Sequence, residues 1–405
     1  MMKKPILLIT LVLFTWACKK ETPQTIEMIE FMGQTNASLP RLEKGADENI
    51  YLSWVEKNGD KSTLLYSQLW EEAWSVPTVI SSGNNWFVNW ADFPSLVVNK
   101  QQMGAHWLQK SKEGTYDYDV KVSFSADRGQ TWGTSFTAHK DGVAAEHGFV
   151  SMLPMENENT FITWLDGRNT KSEGHGTDTH GGHGEAGAMT LRAGIFNPQG
   201  NTIDEWELDD RVCDCCQTAA ALTDNGPIVV YRDRSETEIR DMSIVRWVNG
   251  EWTPPTNIAI EMWEMPGCPV NGPAVIANGQ NVAVTWFTAK NGFPQVKIAF
   301  SQDAGASFTD ATVVSEGATI GRLGLTDLAN GNVAVSWMDN QNDLALIMLA
   351  EYDQKGMLLK RVKVAESKAS RSSGFPVITS LGNTVYMAWT EVNEETVVKT
   401  AKINF

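Results

Sequence analysis

The chain of 405 residues carries a formal net charge of −16, from 49 acidic against 33 basic side chains. That excess of carboxylates excludes a phosphate backbone as partner, so no nucleic acid is expected, and any anionic ligand must be met by a local group of arginines. With 16 tryptophans and 33 glycines, the composition points to many short strands joined by turns.

The chain opens Met-Met-Lys-Lys, continues as an apolar run from Ile6 to Trp16 and reaches Ala17-Cys18. A charged start, a short apolar core and a small residue before cysteine form a secretory signal too short to span a bilayer. The motif is similar to a bacterial lipoprotein signal. The similarity implies a signal peptide over 1–17, a lipid on Cys18, a tether over 18–25 and one domain over 26–405. The expected location is the cell envelope, on the outer membrane or cell surface. No other long apolar run exists, so the membrane is expected to be met through the lipid alone, by a monomer.

Seven short apolar segments carry an aromatic near their end: Trp54, Trp107, Trp164, Tyr231, Trp286, Trp337 and Trp389, spaced by 53, 57, 67, 55, 51 and 52 residues. A second short strand precedes each and a third follows, with turn residues between. Short strands at this period, without a helical pattern, predict an all-β fold, a β-propeller of four-stranded blades. Seven blades are favoured, with six as the alternative if one irregular repeat is an insertion. The last repeat stops at its third strand, Val397 to Phe405, whereas Ile26–Phe31 precedes the first repeat and belongs to none. That orphan segment is expected to supply the missing outer strand and close the ring.

Ser125-Ala-Asp127-Arg-Gly129-Gln-Thr131-Trp132 and Ser301-Gln-Asp303-Ala-Gly305-Ala-Ser307-Phe308 both match the Asp-box, at equivalent turns. In such a turn the aspartate accepts backbone N–H groups, glycine takes a positive φ and the aromatic packs between outer strands. These boxes make the chain resemble the sialidase superfamily of repeat propellers. The stretches HGF at His147, WLDGR at Trp164, CDCCQT at Cys213, YRDRS at Tyr231 and GCPVNGP at Gly267 look like one bacterial sialidase-like family. True sialidases have six blades and an Arg-Ile-Pro motif ahead of the first blade, where this chain reads Leu39-Pro-Arg41-Leu.

Two insertions interrupt the repeat. Lys171–Gly187 is polar and glycine-rich and carries His175, His180 and His183; it reads as a solvated loop, with a metal site as the alternative. Glu251–Pro266 is expected to cover an edge. In a propeller, the loops entering each inner strand share a rim with those leaving the second strand. Counting back from each strand-b aromatic, Cys213, Cys268 and Arg371 stand 18 residues before it, His147 17, Asp92 and Arg322 15 and Arg41 13. All are expected at the mouths of inner strands, around the axis where propellers bind ligands.

The sialidase resemblance implies an exo-α-sialidase-like glycoside hydrolase acting on a glycan. Arg41, Arg322 and Arg371 would clamp a sugar carboxylate, Asp92 would be the acid, and Tyr231 with Glu238 the nucleophile pair. Asp166, Arg168, Arg232, Arg234 and Arg240 at the strand-b ends, with Asn271, complete the expected ligand-binding set. The sulfurs of Cys213, Cys215, Cys216 and Cys268 have no part in that chemistry. They read as disulfides, as a thiolate site for zinc or copper joined by His147, or as free thiols. The competing function is therefore a metal- or protein-binding propeller without hydrolase activity.

Overall fold

The computed structural model describes residues 25–171 and 187–404. Seven antiparallel sheets each hold four main strands, and the inner strand of each contacts the next until the last contacts the first. The inner strands of blades one to seven are Ala37–Lys44, Ser95–Val98, His147–Pro154, Ala219–Thr223, Ala274–Asn278, Thr319–Asp327 and Val377–Leu381. Among the described residues the only helical elements are four short 3-10 turns.

The ring closes as the orphan segment requires. Ile26–Ile29 pairs antiparallel with Thr396–Asn404, placing Ile26 opposite Ile403 and Ile29 opposite Thr400. Phe31, just beyond the pairing, packs edge-on against Trp54 at 5.0 Å. Thr400 joins three parts of the chain, donating to Ile29 O at 2.8 Å and accepting from Trp74 Nε1 of blade one at 3.0 Å.

All seven strand-b aromatics are buried, which is why their spacing marks the repeat. Each fills the wedge between neighbouring blades, and truncating one would cost about 3–5 kcal/mol. Three of them satisfy the indole N–H with a carboxylate two residues on: Trp54 on Glu56, Trp164 on Asp166 and Trp337 on Asp339, at 2.8–2.9 Å. Both Asp-boxes form as read, with Asp127 accepting Thr131 N at 2.8 Å and Asp303 accepting Ser307 N at 2.9 Å. They sit on the rim opposite the loops described below.

The mouths of the inner strands are kinked in a repeating way. Leu39, Phe149, Val270, Arg322 and Gly374 have φ of 56°, 54°, 50°, 59° and 57°, and each stands 15 or 16 residues before its strand-b aromatic. Left-handed backbone at this point accompanies register shifts in blades one, three and six and re-aims the following side chains toward the rim. The common register is thus 15–16. Asp92 and Arg322 occupy the mouth itself, whereas Cys213, Cys268 and Arg371 lie earlier, in the loops leading to it. The second insertion is not only an edge cover: Asp241 accepts the backbone N–H groups of Glu261, Met262 and Trp263, drawing buried Trp263 against Phe287 of blade five.

Candidate functional site on the axial rim

Asp92 is buried at the mouth of blade two. Its Oδ1 accepts Phe149 N at 2.7 Å and its Oδ2 accepts the Tyr118 hydroxyl at 2.8 Å. Only glycine fits at 148, since a Cβ there would stand 2.0 Å from Asp92 Oδ2. The Tyr118 oxygen also lies 2.9 Å from Glu146 Oε1, so one phenol bridges two carboxyl groups. Burial raises the Asp92 pKa to about 7 against its two hydrogen bonds. Burial also raises Glu146 to about 8, helped by the charges of Asp92, Asp214 and Cys268. Because Asp214 and Cys268 arrive on the next two loops around the ring, Glu146 reaches the axial side of the rim.

From Asp214 the network continues through blade four. Arg234 Nη1 lies 3.1 Å from Asp214 Oδ1, and its Nη2 lies 2.8 Å from Glu238 Oε1. Arg240 donates to the other Glu238 oxygen at 2.6 Å and to Cys213 Sγ at 3.1 Å. Partial burial opposes the Glu238 charge, but the two guanidiniums win and its pKa is lowered. Glu238 also holds φ at 62°, a strain of order 1–3 kcal/mol that the surrounding bonds must offset. The rim thus carries one carboxyl with a raised pKa, Glu146, on which the charge of Asp214 acts, and one with a lowered pKa, Glu238, which Arg234 ties to Asp214.

The sulfurs gather beside Arg240. Cys213 Sγ is 3.5 Å from Cys216 Sγ and 3.9 Å from Cys215 Sγ, while Cys268 on the following loop interacts with Cys215. None of the four is joined in a disulfide. Burial works against a Cys213 thiolate, yet its hydrogen bonds with Cys215 and Cys216 and the charges of Arg240 and Arg232 hold its pKa well below the usual value. Burial, with the neighbouring Cys213, pushes Cys216 up to about 12.

Across the axis lies a stack of guanidinium and aromatic groups. Arg41 covers Phe93 at 4.5 Å, Phe93 and Trp90 both pack on Phe375 at 5.7 and 5.9 Å, and Arg322 covers Trp90 at 4.9 Å. Arg322 Nη1 donates to Ser373 Oγ and Gly374 O, neither of them charged. Burial lowers both arginines to about 10, so both remain cations. Trp90, Asp92 and Phe93 share one loop, which couples this stack to the carboxyl pair. Arg371 is exposed nearby. Asn271 splints the mouths of blades five and six, accepting Arg322 N at 2.8 Å and donating to Ile320 O at 3.2 Å.

Several expected site residues turn elsewhere. Tyr231 lies in the core between blades three and four and donates to Asp209 Oδ2 at 2.5 Å, so the expected pairing with Glu238 is not formed. The Arg232 guanidinium is 1% exposed and directs its donors to the carbonyls of Asn271, Arg240 and Phe287 at 2.7–3.2 Å. That geometry fastens blade four to blade five and leaves no fork for a ligand. Arg168 is spent on Asp166, with Nε and Nη2 each 2.7 Å from a carboxylate oxygen.

His147 does not join the sulfurs. Its ring stacks on His139 at 3.6 Å, and its Nε2 lies 3.2 Å from Asp141 and 3.5 Å from Asp166. Burial opposes its charge, but these carboxylates raise its pKa to about 9. His175, His180 and His183, like Cys18, lie outside the described residues. Residues not singled out from the sequence supply much of the rim: Trp90, Phe93, Tyr118, Glu146, Asp214 and Phe375. Glu146 directly precedes the HGF stretch and Asp214 lies inside CDCC, so both were within reach of those motifs. Beside Arg234 the rim opens into a pocket of about 450 Å³ lined by Asp209, Asp210, Arg211, Asp233 and Glu236.

No family model and no curated protein matches the chain. Solved structures do. An ulvan lyase, a polysaccharide lyase, superposes with a TM-score of 0.57 at 11% identity, over 92% of this chain and 95% of that one. The endosialidase of phage phi92 gives 0.50 at 9%, over 94% and 69%. A puromycin-hydrolysing peptidase of Mycobacterium tuberculosis gives 0.51 at 10%, over 90% of this chain and 51% of that one. The likeness is one of fold. A seven-bladed β-propeller describes the architecture, and the different activities named for these three proteins leave the chemistry to the side chains.

Proposed function

We propose that the chain is a carbohydrate-active propeller that hydrolyses a glycosidic bond of an anionic sugar at the axial rim. The observation that carries this reading is the Trp90–Phe93 loop. It supplies Asp92 to the bridged carboxyl pair, and it supplies Trp90 and Phe93 to the stack between Arg41 and Arg322. Two cations, Arg322 on uncharged partners and Arg41 beside Glu43, whose carboxyl burial raises to about 8, suit a sugar carboxylate, which they can hold by paired hydrogen bonds. Glu146, protonated at neutral pH, gives its proton to the leaving oxygen. Glu238, ionised, takes one from the attacking water, so the products are the free sugar and the released alcohol. Tyr118 positions Glu146 and links it to Asp92. Carboxyls whose surroundings drive their pKa values apart are the usual mark of an acid and a base. An ulvan lyase and an endosialidase among the structures of this fold agree with a glycan ligand. With a lipid on Cys18, the rim would be held at the membrane surface; Cys18→Ser should release the protein to the soluble fraction.

The test is turnover of aryl glycosides of carboxylated sugars against their neutral counterparts. Carboxylated substrates should react, with activity falling as pH rises through about 8 while Glu146 ionises. Glu146→Gln should lower kcat by about 10²–10⁴-fold, and Arg322→Ala should raise KM. Wild-type protein that neither binds nor cleaves any carboxylated glycoside, or an unaltered kcat in Glu146→Gln, rejects the proposal.

A further inference from the structure

We infer that Cys213, Cys215, Cys216 and Cys268 form a thiolate site for a d10 metal ion, zinc(II) or copper(I), where the loops entering blades four and five meet. The spacing of the sulfurs is the first argument. Four sulfurs bound at about 2.3 Å to a tetrahedral zinc ion lie about 3.8 Å from one another, and the Cys213 sulfur stands 3.5 and 3.9 Å from its two neighbours. The ligand atoms of Cys213, Cys215 and Cys216 all fall within 4.8 Å of one another. A disulfide joins two sulfurs, whereas here three turn to one point and the fourth approaches Cys215 from another loop.

The convergence is built into the backbone. Gly272 packs so closely on the loop of blade four that a Cβ would stand 2.1 Å from Gln217 O, which brings the loop of Cys268 alongside that of Cys215. Arg240 supplies the outer shell, its Nη1 3.1 Å from Cys213 Sγ. Such a bond fixes the orientation of a ligating sulfur, and the guanidinium charge offsets the negative charge that four thiolates leave around one divalent or monovalent ion. Soft sulfur ligands without oxygen or nitrogen donors select zinc(II) and copper(I) over calcium or magnesium. Cys268 is exposed and gives the ion its way in. The site holds two loops together, and Arg240 ties it to Glu238 of the rim.

The intact chain, reduced and freed of metal, is titrated with zinc against a colorimetric chelator and with copper(I) against bicinchoninate. One ion per chain is expected, with the thiols protected from alkylation until the ion is removed; which titration competes identifies the ion. Cys268→Ser changes an exposed position and should leave the fold intact, so it keeps the test open if Cys216→Ser fails to fold. It should weaken binding by at least about tenfold, since even partners outside the first shell are worth about 10–100-fold. Failure of the reduced protein to bind either ion overturns the inference, and so does undiminished affinity in Cys268→Ser. Because the readout is ion stoichiometry, neither result bears on glycoside turnover.

Discussion

Replacing His147 by glutamine should remove a stabilisation that depends on pH in a defined direction. Burial disfavours the imidazolium, but Asp141 at 3.2 Å and Asp166 at 3.5 Å hold its folded pKa near 9, against about 6.5 in an unfolded chain. A pKa raised on folding contributes fully below the unfolded value and is lost as pH rises through the folded one. At about 1.4 kcal/mol per unit, the contribution is about 2.5 kcal/mol at pH 7 and close to zero at pH 10. Loss of the Nδ1 contacts to Tyr118 O and Ala145 O adds about 1 kcal/mol that does not vary with pH. Asp92 and Glu146 lose stabilisation over the same range, because burial raises carboxyl pKa values, so only the difference between wild type and variant isolates His147. The comparison runs from pH 7 upward, since His139, held low by burial and by the His147 charge, regains protons in the variant below that. Urea unfolding followed by tryptophan fluorescence should give a gap of about 3–4 kcal/mol at pH 7, shrinking to about 1 kcal/mol at pH 10. A gap that stays constant across this range refutes the ion-pair account.

Gly148→Ala places a methyl group where Asp92 Oδ2 sits, so it should break the Tyr118 bridge, destabilise by about 1–3 kcal/mol and shift the pH profile of any turnover. Arg232→Met strips donors from the carbonyls of Asn271, Phe287 and Arg240, and urea titration should show a loss of about 3–5 kcal/mol. Asp303→Ala removes the acceptor of an Asp-box on the far rim; its melting temperature should drop while ligand affinity, read by calorimetry, stays at the wild-type value. Deleting residues 25–30 leaves Thr396–Asn404 as a bare edge, and light scattering should detect strand-to-strand association that the whole chain does not show.

The fold was legible because each blade must bury one large strand-b aromatic, and Trp54, Trp164, Trp286 and Trp337 could not be placed elsewhere without losing that burial. The closing strand was legible for a similar reason: a blade of three strands leaves a row of unpaired N–H and C=O groups. The rim was read less well. A count back from the aromatic assumes loops of equal length, and the mouth at 15–16 residues shows itself only through backbone φ, which no residue type other than glycine announces. Tyr231 and Arg232 looked chemical by type, yet strand pleat turns both inward, Tyr231 into the interblade core and Arg232 onto carbonyls of the next blade. Glu146 went unnoticed because its character comes from Tyr118, Asp92 and Asp214, three groups that are distant in sequence.

The pairing of Ile29 with Thr400 has a consequence in time as well as in space. The two residues are separated by 371 positions along the chain, and a ribosome adds about 5–20 residues per second. The first strand to emerge therefore waits roughly 20–75 s for its partner. Throughout that interval the growing arc of blades has two open edges, and the seventh blade cannot form at all. A cell making this protein must keep the early segment extended and unpaired until the final strand appears. The length of that exposure is set by chain length and elongation rate, so slowing translation should lower the yield of closed rings even if the finished propeller is unchanged in stability.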